Sequence, residues 1–353
     1  MKTIVEKITK EQLNTEEGKK IIGQAGDFLK EGGLVAFPTE TVYGLGADAL
    51  NKTASTKIYA AKGRPSDNPL IVHIADMDAL PLIAAEIPES AYLLADAFWP
   101  GPLTMIFKKT ERVPMATTGG LPTVAVRMPS NKIAAALIRA AGGYIAAPSA
   151  NRSGRPSPTV AKYVIEDLDG RIEMIIDGGF SAIGLESTII DLSGGEPMIL
   201  RPGYVTQEKM MQVIGNVDVD RTILDASSKE APKAPGMKYR HYAPKGNLTI
   251  VEGPQEKVTA CINEKLSEGH KQGLKTGVIA TDETIEQYQA DVKRSLGSRK
   301  NEEAIAHHLF EVLRQMDDEE VQLIFTESFA ETGLGQATMN RLLKAAGHQV
   351  ISL

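Results

Sequence analysis

The chain has 353 residues, 42% of them apolar and 24% charged, which is enough to bury a full core and fits two domains better than one. Its single cysteine, Cys261, excludes a disulfide framework and a zinc cluster of several thiolates, and it fits a reducing, cytoplasmic setting. No segment approaches the roughly 18 apolar residues of a membrane helix, and the first residues lack the apolar core of a signal peptide. We therefore expect a soluble protein that is not exported by that route.

The net charge of −6 is unevenly distributed along the chain. Residues 247–353 contain 11 Lys and Arg against 17 Asp and Glu, whereas residues 1–246 contain 28 of each kind. A protein that holds nucleic acid through bulk phosphate contacts needs a strongly basic surface. The neutral first part therefore favours a local anion pocket instead.

Residues 1–215 alternate between helical and strand-like patterns, which predicts a mixed α/β domain. A helix over residues 21–29 ends at Gly32-Gly33, just before the first predicted strand. The irregular spacing of the strands excludes a barrel of repeated βα units. The predicted strands are 34–37, 70–74, 103–107, 124–128, 144–147, 174–176, 188–190 and 198–200, and the other predicted helices are 52–62, 76–97, 131–142 and 158–168.

Residues 216–246 have the composition of a semi-rigid linker, because prolines flank a cluster of cationic and aromatic side chains. A pure spacer does not need such a cluster, so we also predict a lid made by Lys238, Tyr239, His241 and Tyr242. Residues 247–353 then alternate again, with strands at 248–251, 277–280 and 321–325 between helices. This pattern predicts a smaller parallel, Rossmann-like α/β domain.

Several common chemistries are excluded by the spacing of residues. The chain has no G-x-x-x-x-G-K-[ST] phosphate loop, no G-x-G-x-x-G opening a helix, no H-E-x-x-H and no G-x-S-x-G elbow. The sequence also offers no carboxylate cluster that would bind a metal ion, so we predict no protein metal site.

Two short segments, Lys62-Gly63-Arg64-Pro65 and Ser149-Ala150-Asn151, lie beside apolar strand-like runs. Loops in that position bind ligands in α/β folds, and a Lys and an Arg together suit a polyphosphate. The ordinary alternative is that the cations favour the dipole of a helix C-terminus and that Ser149 and Asn151 are capping residues.

Arg127 and Arg201 each end an apolar strand, and each is followed by proline within two residues. Either arginine could bind a ligand, or it could pair with a structural carboxylate. Thr41 lies in a segment rich in hydroxyl groups and glycine, residues 37–46, which fits the wall of a small-molecule pocket. His73, on an apolar strand, would alone be an ordinary buried histidine.

Taken together, these motifs resemble the threonylcarbamoyl-AMP synthase family in its two-domain form, with a YrdC-like first domain. The resemblance covers residues 20–245 densely and in order, and it covers the second domain in outline. Ala234, where related linkers often have Ser before Pro-Gly-Met, is a departure. The matching segments are Phe37 to Gly46, Lys62 to Pro65, Trp99 to Thr104, Arg127, Ser149 to Asn151, Glu186 to Thr188, Arg201 to Gly203, Pro235 to Met237 and His241 to Pro244.

The resemblance implies an enzyme that joins L-threonine, bicarbonate and ATP into threonylcarbamoyl-AMP and releases pyrophosphate. It implies that threonine contacts Thr41, His73, Arg127 and Ser187, with Arg127 facing the carboxylate. Lys62 and Arg64 would be the catalytic cations. The implied ATP contacts are Lys62, Arg64, Asn68, Thr123, Ser149, Asn151, Thr159 and Arg201.

The resemblance further implies Mg²⁺ bound mainly to the phosphates of ATP. A partner transferase would then move the threonylcarbamoyl group to the adenosine beside the anticodon in tRNAs that read codons starting with A. Two other interpretations stay open from the residues themselves. One is an RNA-binding module without catalysis, and the other is a transferase that activates a different small acid with ATP.

Overall fold

The structure is a computed structural model that describes residues 2–66, 68–220 and 241–353. Two of the predicted lid residues, Lys238 and Tyr239, lie outside the described residues. The described chain divides into two compact units. The first contains most of residues 2–220, and the second contains residues 241–353 together with Gly154–Pro156 and Ile183–Leu185.

The described part of the first unit is mixed α/β, as the sequence predicts. The strands are β1 Ile4–Lys7, β2 Val35–Phe37, β3 Gly44–Asp48, β4 Ile71–His73, β5 Leu103–Lys108, β6 Thr123–Arg127, β7 Ile145–Ala146, β8 Met174–Asp177, β9 Thr188–Asp191, β10 Met198–Arg201 and β11 Asp218–Val219. The helices are α1 Glu16–Lys30, α2 Lys52–Lys62, α3 Leu80–Ile83, α4 Glu89–Phe98, α5 Lys132–Ala140, α6 Ala161–Leu168 and α7 Gln207–Ile214.

These strands form one sheet in the order β1-β8-β2-β3-β7-β4-β6-β5-β9-β10-β11. The pairings are mixed: β4 runs parallel to β6 and β5 parallel to β9, whereas β7 is antiparallel to both β3 and β4. Strand β7 has only two residues, yet it joins the two halves of the sheet.

The continuous helix predicted over residues 76–97 is wrong. A 3₁₀ turn at Met77–Ala79 leads into α3, the chain then becomes extended at Ala84, and α4 starts only after Pro88. Proline lacks an N–H and disfavours helical backbone in the residue before it, so the helix cannot pass through Pro88. The apolar periodicity continues across the break, and for that reason the pattern resembled one helix.

The two faces of the central strands differ, because successive side chains along a strand alternate between faces. Val72, Met105, Val126 and Ile190 belong to the large apolar core beneath the sheet. The opposite face carries only a small apolar cluster of Ile71, Ile106, Ala125, Ile189 and Leu200. Among the residues predicted for the site, Thr123 and Arg127 on β6 and His73 on β4 share this second face.

The second unit is a five-stranded parallel sheet in the order β14-β13-β15-β12-β16, as predicted for residues 247–353. Parallel strands need crossover connections, and three helices provide most of them. The strands are β12 Asn247–Glu252, β13 Thr276–Ala280, β14 Val292–Ser295, β15 Leu323–Glu327 and β16 Val350–Ser352, and the helices are α8 Gln255–Lys271, α9 Glu302–Asp318 and α10 Gly333–Ala345.

Two short loop segments complete the second unit. The side chain of Arg314 on α9 is fully buried and donates from Nε and Nη2 to the carbonyl of Pro156, at 3.0 and 2.7 Å. Gly184 has φ +80°, and a Cβ there would come within 2.3 Å of the carbonyl oxygen of His307. Within the described ranges, no helix is both long and apolar enough to cross a membrane.

Candidate active site

The candidate site is built on the face of the central sheet that carries the small apolar cluster. Thr123 and Arg127 share this face of β6 with Ala125, and His73 shares it on β4 with Ile71, because each pair is two or four residues apart. In the ladder His73 is opposite Arg127, and Thr104 on β5 is opposite Arg127 on its other side. The strand register therefore brings His73, Thr104 and Arg127 together.

Arg127 is 4% exposed, and each of its three guanidinium nitrogens lies within 3.3 Å of an oxygen atom of the first unit. Nη1 donates to the Thr41 hydroxyl at 2.9 Å, and Nε donates to the Gly101 carbonyl at 3.3 Å. Nη2 lies 2.7 Å from Oε1 of Glu40, which is also buried. The structural carboxylate left open as an alternative for Arg127 therefore exists, and it is Glu40.

Thr41 is fixed by a short chain of hydroxyl groups. Its Oγ1 accepts from Arg127 and lies 2.9 Å from Oγ1 of Thr39. The Thr39 hydroxyl in turn lies 2.6 Å from the Val42 carbonyl, to which it can only donate. The Thr39 oxygen also accepts from the N–H groups of Thr41 and Val42, at 3.1 and 3.2 Å. These contacts hold the Thr41 hydroxyl beside Thr39 with a lone pair facing Arg127.

His73 is a neutral histidine with a defined tautomer. Its Nδ1 lies 3.1 Å from the carbonyl of Ile71, which can only accept, so Nδ1 carries the proton and Nε2 carries the lone pair. Burial and the neighbouring Arg127 guanidinium lower the pKa of His73 to about 3. His73 therefore offers the site a hydrogen-bond acceptor and no positive charge at neutral pH.

Ser187 and Arg201 form a second group on the neighbouring strands. Arg201, at the end of β10, donates from Nη2 to the Ser187 hydroxyl at 3.2 Å and from Nε to the Ser187 carbonyl at 3.0 Å. Thr104 lies 2.7 Å from the same hydroxyl. Thr104 ends the motif that starts at Trp99, but it was not among the predicted site residues. The alternation of side chains along β5 does not by itself show which face of the strand belongs to the site.

Lys62 ends α2, and its ammonium group is directed at the loop that contains Ser149 and Asn151. Nζ donates to the carbonyls of both residues, at 2.6 Å for Asn151, and lies 3.4 Å from the Asn151 side-chain oxygen. The two segments that the sequence singled out are therefore in direct contact. The next cation, Arg64, is half-buried directly after Gly63, whose left-handed backbone (φ +61°) ends the helix.

The segment Thr41 to Gly44 connects the two sides of the site. Thr41 contacts Arg127, Tyr43 donates its N–H to Pro158 and accepts from Ala150, and Gly44 forms a bridge with Ser149. The hydroxyl segment, the Lys62 loop and the residues around Thr159 therefore converge on one region of the first unit.

Some buried polar side chains in this region have no hydrogen-bond partner among the described residues. Three such groups are the amide of Asn68 and the hydroxyls of Thr159 and Ser181, each 2% exposed or less. Thr159 and Ser181 are neighbours, since the Ser181 N–H donates to the Thr159 carbonyl. Buried polar groups are normally satisfied, so unsatisfied ones indicate a ligand or ordered water. Ser181 lies in a loop, and sequence reasoning did not select it.

Thr123 lies at the opposite end of β6 from Arg127. Four residues of strand separate them, which is about 13 Å at 3.3 Å per residue. The two side chains share a face of the sheet, but no described contact joins Thr123 to the other predicted residues. A role for Thr123 therefore requires an extended ligand.

His241 and Tyr242 are the described lid candidates, and both belong to the second unit. Tyr242 is buried, and its ring centroid lies 5.1 Å from that of Phe310 on α9. Its φ of +63° is rare for a residue other than glycine and costs backbone energy, so packing must hold it there. Tyr242 is therefore held by packing within the second unit.

Among the residues that the structure describes, no group of three or more His, Cys, Asp or Glu side chains could hold a metal ion. Cations and hydroxyl groups dominate the site instead. The buried Lys62, Arg127 and Arg201 with their hydroxyl neighbours define an α/β protein whose site suits anionic ligands.

Comparison with known proteins identifies the family. The family model described as "Telomere recombination" (Sua5_yciO_yrdC) matches residues 27–203. The model described as "Threonylcarbamoyl-AMP synthase, C-terminal domain" matches residues 205–347. The two matches together span both described units.

Proteins named threonylcarbamoyl-AMP synthase are similar to the chain over nearly its whole length. The protein from Pyrococcus abyssi is 51% identical over 93% of this chain and 95% of its own, and that from Bacillus subtilis is 49% identical over 97% and 96%. A crystal structure of P. abyssi Sua5 in complex with L-threonine superposes with a TM-score of 0.92, at 50% identity, over 99% of this chain and all of that one. The chain belongs to the threonylcarbamoyl-AMP synthase family.

Proposed function

We propose that this protein synthesises L-threonylcarbamoyl-AMP from L-threonine, bicarbonate and ATP and releases pyrophosphate, as a nucleotidyltransferase. The observation that carries the proposal is the convergence, on one region of the first unit, of the Arg127 group and the Lys62 loop through the segment Thr41 to Gly44. Residues 1–215 would form the catalytic domain, 216–246 the linker and 247–353 the second domain.

The nucleotide side of the site is proposed to be the Lys62 loop and its surroundings. Lys62 and Arg64 would neutralise the charge of the phosphates, and Arg201 would add a planar fork. The unsatisfied groups of Asn68 and Thr159 support a polar ligand there. Ser149 and Asn151 would complete the contacts, and Thr123 would mark the far end of an extended nucleotide.

The threonine side is proposed to be the Arg127 group. The guanidinium has five N–H groups, so its three partners among the described residues leave N–H groups for a substrate carboxylate. The hydroxyls of Thr41 and Ser187 and the acceptor Nε2 of His73 can bind the polar atoms of the amino acid. The small apolar cluster on the same face can contact its methyl group.

The chemistry suits such a site. A neutral threonine amine attacks the carbon of bicarbonate to form a carbamate, and a carbamate oxygen then attacks the α-phosphorus of ATP while pyrophosphate leaves. Proximity, orientation and stabilisation of the developing negative charge by buried cations can supply most of the acceleration. This role fits Lys62, Arg64 and Arg201 without a pair of catalytic carboxylates.

Mg²⁺ would enter with ATP, held mainly by the phosphates. Mg²⁺ retains several waters and needs few protein ligands when a polyphosphate is present. When bound, the ion would neutralise charge on the leaving pyrophosphate.

The part of the linker from residue 235 to residue 244 is proposed to close over the site as a lid. It would protect the carbamate and the mixed anhydride from water. Of the candidate lid residues, Tyr242 would be its anchor, because it is packed on Phe310. Deleting residues 235–353 is expected to slow adenylate formation. An unchanged rate would show that the linker is only a tether.

The product is a reactive adenylate, so its use requires an enzyme that accepts the threonylcarbamoyl group. We propose that this is a transferase that modifies the adenosine next to the anticodon in tRNAs reading codons that start with A. The reaction would take place in the cytoplasm. A direct contact of this chain with tRNA is a secondary proposal, because residues 1–246 have no net charge.

Pyrophosphate release tests the proposal. Purified protein is mixed with ATP, Mg²⁺ and bicarbonate and with each amino acid in turn, and ¹⁴C-bicarbonate is followed into the product. We expect pyrophosphate release only when threonine and bicarbonate are both present, with one ¹⁴C carbon in the adenylate for each pyrophosphate released. Release with another small acid would favour a different transferase, and RNA binding without turnover would favour an RNA-binding module.

A further inference from the structure

Glu40 is the buried carboxylate at the centre of the proposed amino-acid subsite. It lies between Thr39 and Thr41 in the turn that follows β2, and its side chain is 10% exposed. Its Oε1 is 2.7 Å from Nη2 of Arg127, whose side chain is 5% exposed. Both partners of this ion pair are therefore largely removed from water.

The protein does not use the full hydrogen-bonding capacity of this ion pair. Among the described residues, neither carboxylate oxygen of Glu40 has a hydrogen-bond partner of good geometry, and the same holds for Nη2 of Arg127. A buried charge costs free energy unless it is paired and its remaining lone pairs are satisfied. A buried carboxylate with open lone pairs beside a guanidinium with open N–H groups is a place for a ligand that carries both a cation and an anion.

An α-amino acid is such a ligand, because its ammonium group and its carboxylate are separated by one carbon atom. We infer that Glu40 binds the amino group of the amino-acid substrate and accepts its proton when the carbamate forms. The inference rests on the proposed function, and it adds to that function a catalytic residue for the amine.

The proton balance of the step is simple. Threonine arrives as an ammonium ion, which has no lone pair, and transfer of one proton to Glu40 gives a neutral amine and a neutral carboxylic acid. The nitrogen lone pair then forms the C–N bond with the carbon of bicarbonate. The C–O bond to its hydroxyl group breaks, and that hydroxyl leaves as water with a second proton of the amine. Glu40 returns its proton to solvent after the product leaves.

The guanidinium of Arg127 acts on both groups. It repels the bound ammonium, which favours loss of the proton, and it stabilises the Glu40 carboxylate, which opposes uptake of that proton. The free amine is consumed as the C–N bond forms, and this consumption draws the proton transfer forward. When Glu40 becomes neutral, its attraction to Arg127 weakens, and the guanidinium is then available to the substrate carboxylate. His73 also offers a lone pair at Nε2, but burial and the neighbouring Arg127 lower the pKa of His73 to about 3, so it is a weak base.

The test compares Glu40→Gln with the wild-type protein over a range of pH. At pH 7 we expect kcat/KM for threonine to fall by about 100-fold, the usual scale for loss of a general base. The deficit should shrink by about tenfold or more by pH 9, because free amine becomes abundant in solution. A deficit that is the same at every pH would overturn the inference, since a purely structural role predicts that result.

A second measurement separates carbamate formation from the adenylation that follows it. Synthetic threonylcarbamoyl-AMP and pyrophosphate form ATP by reversal of the second step alone, and that reaction does not need the amine to lose a proton. We expect Glu40→Gln to keep this activity within about threefold while it loses the forward reaction. Equal loss of both activities would overturn the inference. If the wild-type protein itself releases no pyrophosphate with threonine and bicarbonate, the proposed function fails instead.

Two further variants control for folding. Glu40→Asp keeps the negative charge, so it should fold even if Glu40→Gln does not, and its smaller deficit should show the same dependence on pH. Glu173→Gln is the matched control, because Glu173 accepts from the Leu34 N–H in the same unit and lies outside the site. It should leave kcat/KM unchanged across the pH range.

Discussion

At the scale of single residues, Lys62 combines a structural role with the catalytic role proposed for it. Its ammonium group reaches three oxygen atoms of the loop that contains Ser149 and Asn151. A lysine has three N–H donors, and these contacts can use all of them, so the ammonium group would act on the phosphates through its charge. The two interpretations left open by the sequence, an anion site and local capping, are therefore not exclusive.

Replacing Lys62 by alanine is expected to abolish adenylate formation and also to lower stability. The change leaves buried carbonyl groups without their donor, which costs on the order of 1–3 kcal/mol. Pyrophosphate release and urea unfolding measure the two effects. Lys52→Ala, at the exposed start of the same helix, should change neither, and an active Lys62→Ala protein would show that the cation is structural only.

His73 should make the protein sensitive to acid. The pKa of His73 is about 3 in the folded protein, below the ordinary value of 6.5, so the unfolded chain binds the proton more tightly. The resulting contribution to stability is complete above pH 6.5 and is lost progressively as the pH falls from 6.5 toward 3. At pH 4.5 the loss is on the order of 2 kcal/mol.

Urea unfolding at pH 7 and pH 4.5 checks this expectation. The wild-type protein should lose more stability between the two pH values than His73→Gln, which cannot take up the proton. Equal losses in both proteins would mean that His73 is protonated in the folded state at pH 4.5.

The sequence identified most of the residues around the site but few of the contacts between them. Arg127 was predicted to meet a carboxylate of either a ligand or the protein, and its partner Glu40 is 87 positions away in the chain. Such a pairing depends on the order of the strands, which local pattern does not contain. Ser181 and Thr104 were not predicted, because hydroxyl residues are common in loops and strands and the local pattern does not show which of them face the site.

At the scale of elements, the end of α2 determines where the cations lie. Gly63 adopts the left-handed conformation that ends the helix, and Lys62 and Arg64 flank it. A residue with a Cβ is disfavoured there although nothing lies within 4 Å of the added carbon. Glycine therefore sets the angle between the helix and the segment that carries Arg64.

Gly63→Ala is expected to destabilise the protein by about 1 kcal/mol and to raise the KM for ATP. Gly23→Ala is the matched control, because Gly23 lies within α1 with open space around it and ordinary helical backbone. That change should stabilise the protein by about 0.5–1 kcal/mol without affecting KM. Urea unfolding and initial rates measure both, and equal effects of the two substitutions would contradict the role of the left-handed backbone.

Helices and strands were predicted correctly where local sequence determines them, and they were missed where tertiary contacts determine the backbone conformation. Helix 52–62 was predicted at its observed bounds, because Asn51 caps its start and Gly63 its end. Strand β3 was missed because Gly44 and Gly46 weaken its propensity. A Cβ at Gly46 would come within 3.0 Å of the Phe37 ring and closer still to Ile145, so packing requires glycine in that strand.

At the scale of the whole molecule, the second unit is not continuous in sequence. Its α9 depends on the carbonyl of Pro156 for the hydrogen bonds of the buried Arg314. Sequence composition placed a boundary near residue 246 but could not show that residues 154–156 and 183–185 belong with the later part. A contact between residues about 160 positions apart produces no pattern in the local sequence.

A fragment of residues 241–353 is therefore expected to fold with reduced stability. It lacks the Pro156 carbonyl, which accepts two hydrogen bonds from Arg314, and hydrogen bonds of charged groups contribute about 1.5–3 kcal/mol. Hydrogen exchange of the amides in β13 and β15 reports the local stability in the fragment and in the full chain. The fragment with Arg314→Met should recover part of the loss, and equal protection in the fragment and the full chain would contradict this account.

The two-residue strand β7 has a consequence for the order in which the protein forms during synthesis. Strands β3 and β4 both pair with β7 and are complete once residue 73 has been made, but β7 ends only at residue 146. At 5–20 residues per second, the ribosome takes roughly 4–15 s to cover that interval. During that time the two strands have unpaired backbone edges, which are sites of wrong pairing and aggregation. The nascent chain is therefore most in need of chaperone protection before the segment that carries Ser149 and Asn151 emerges.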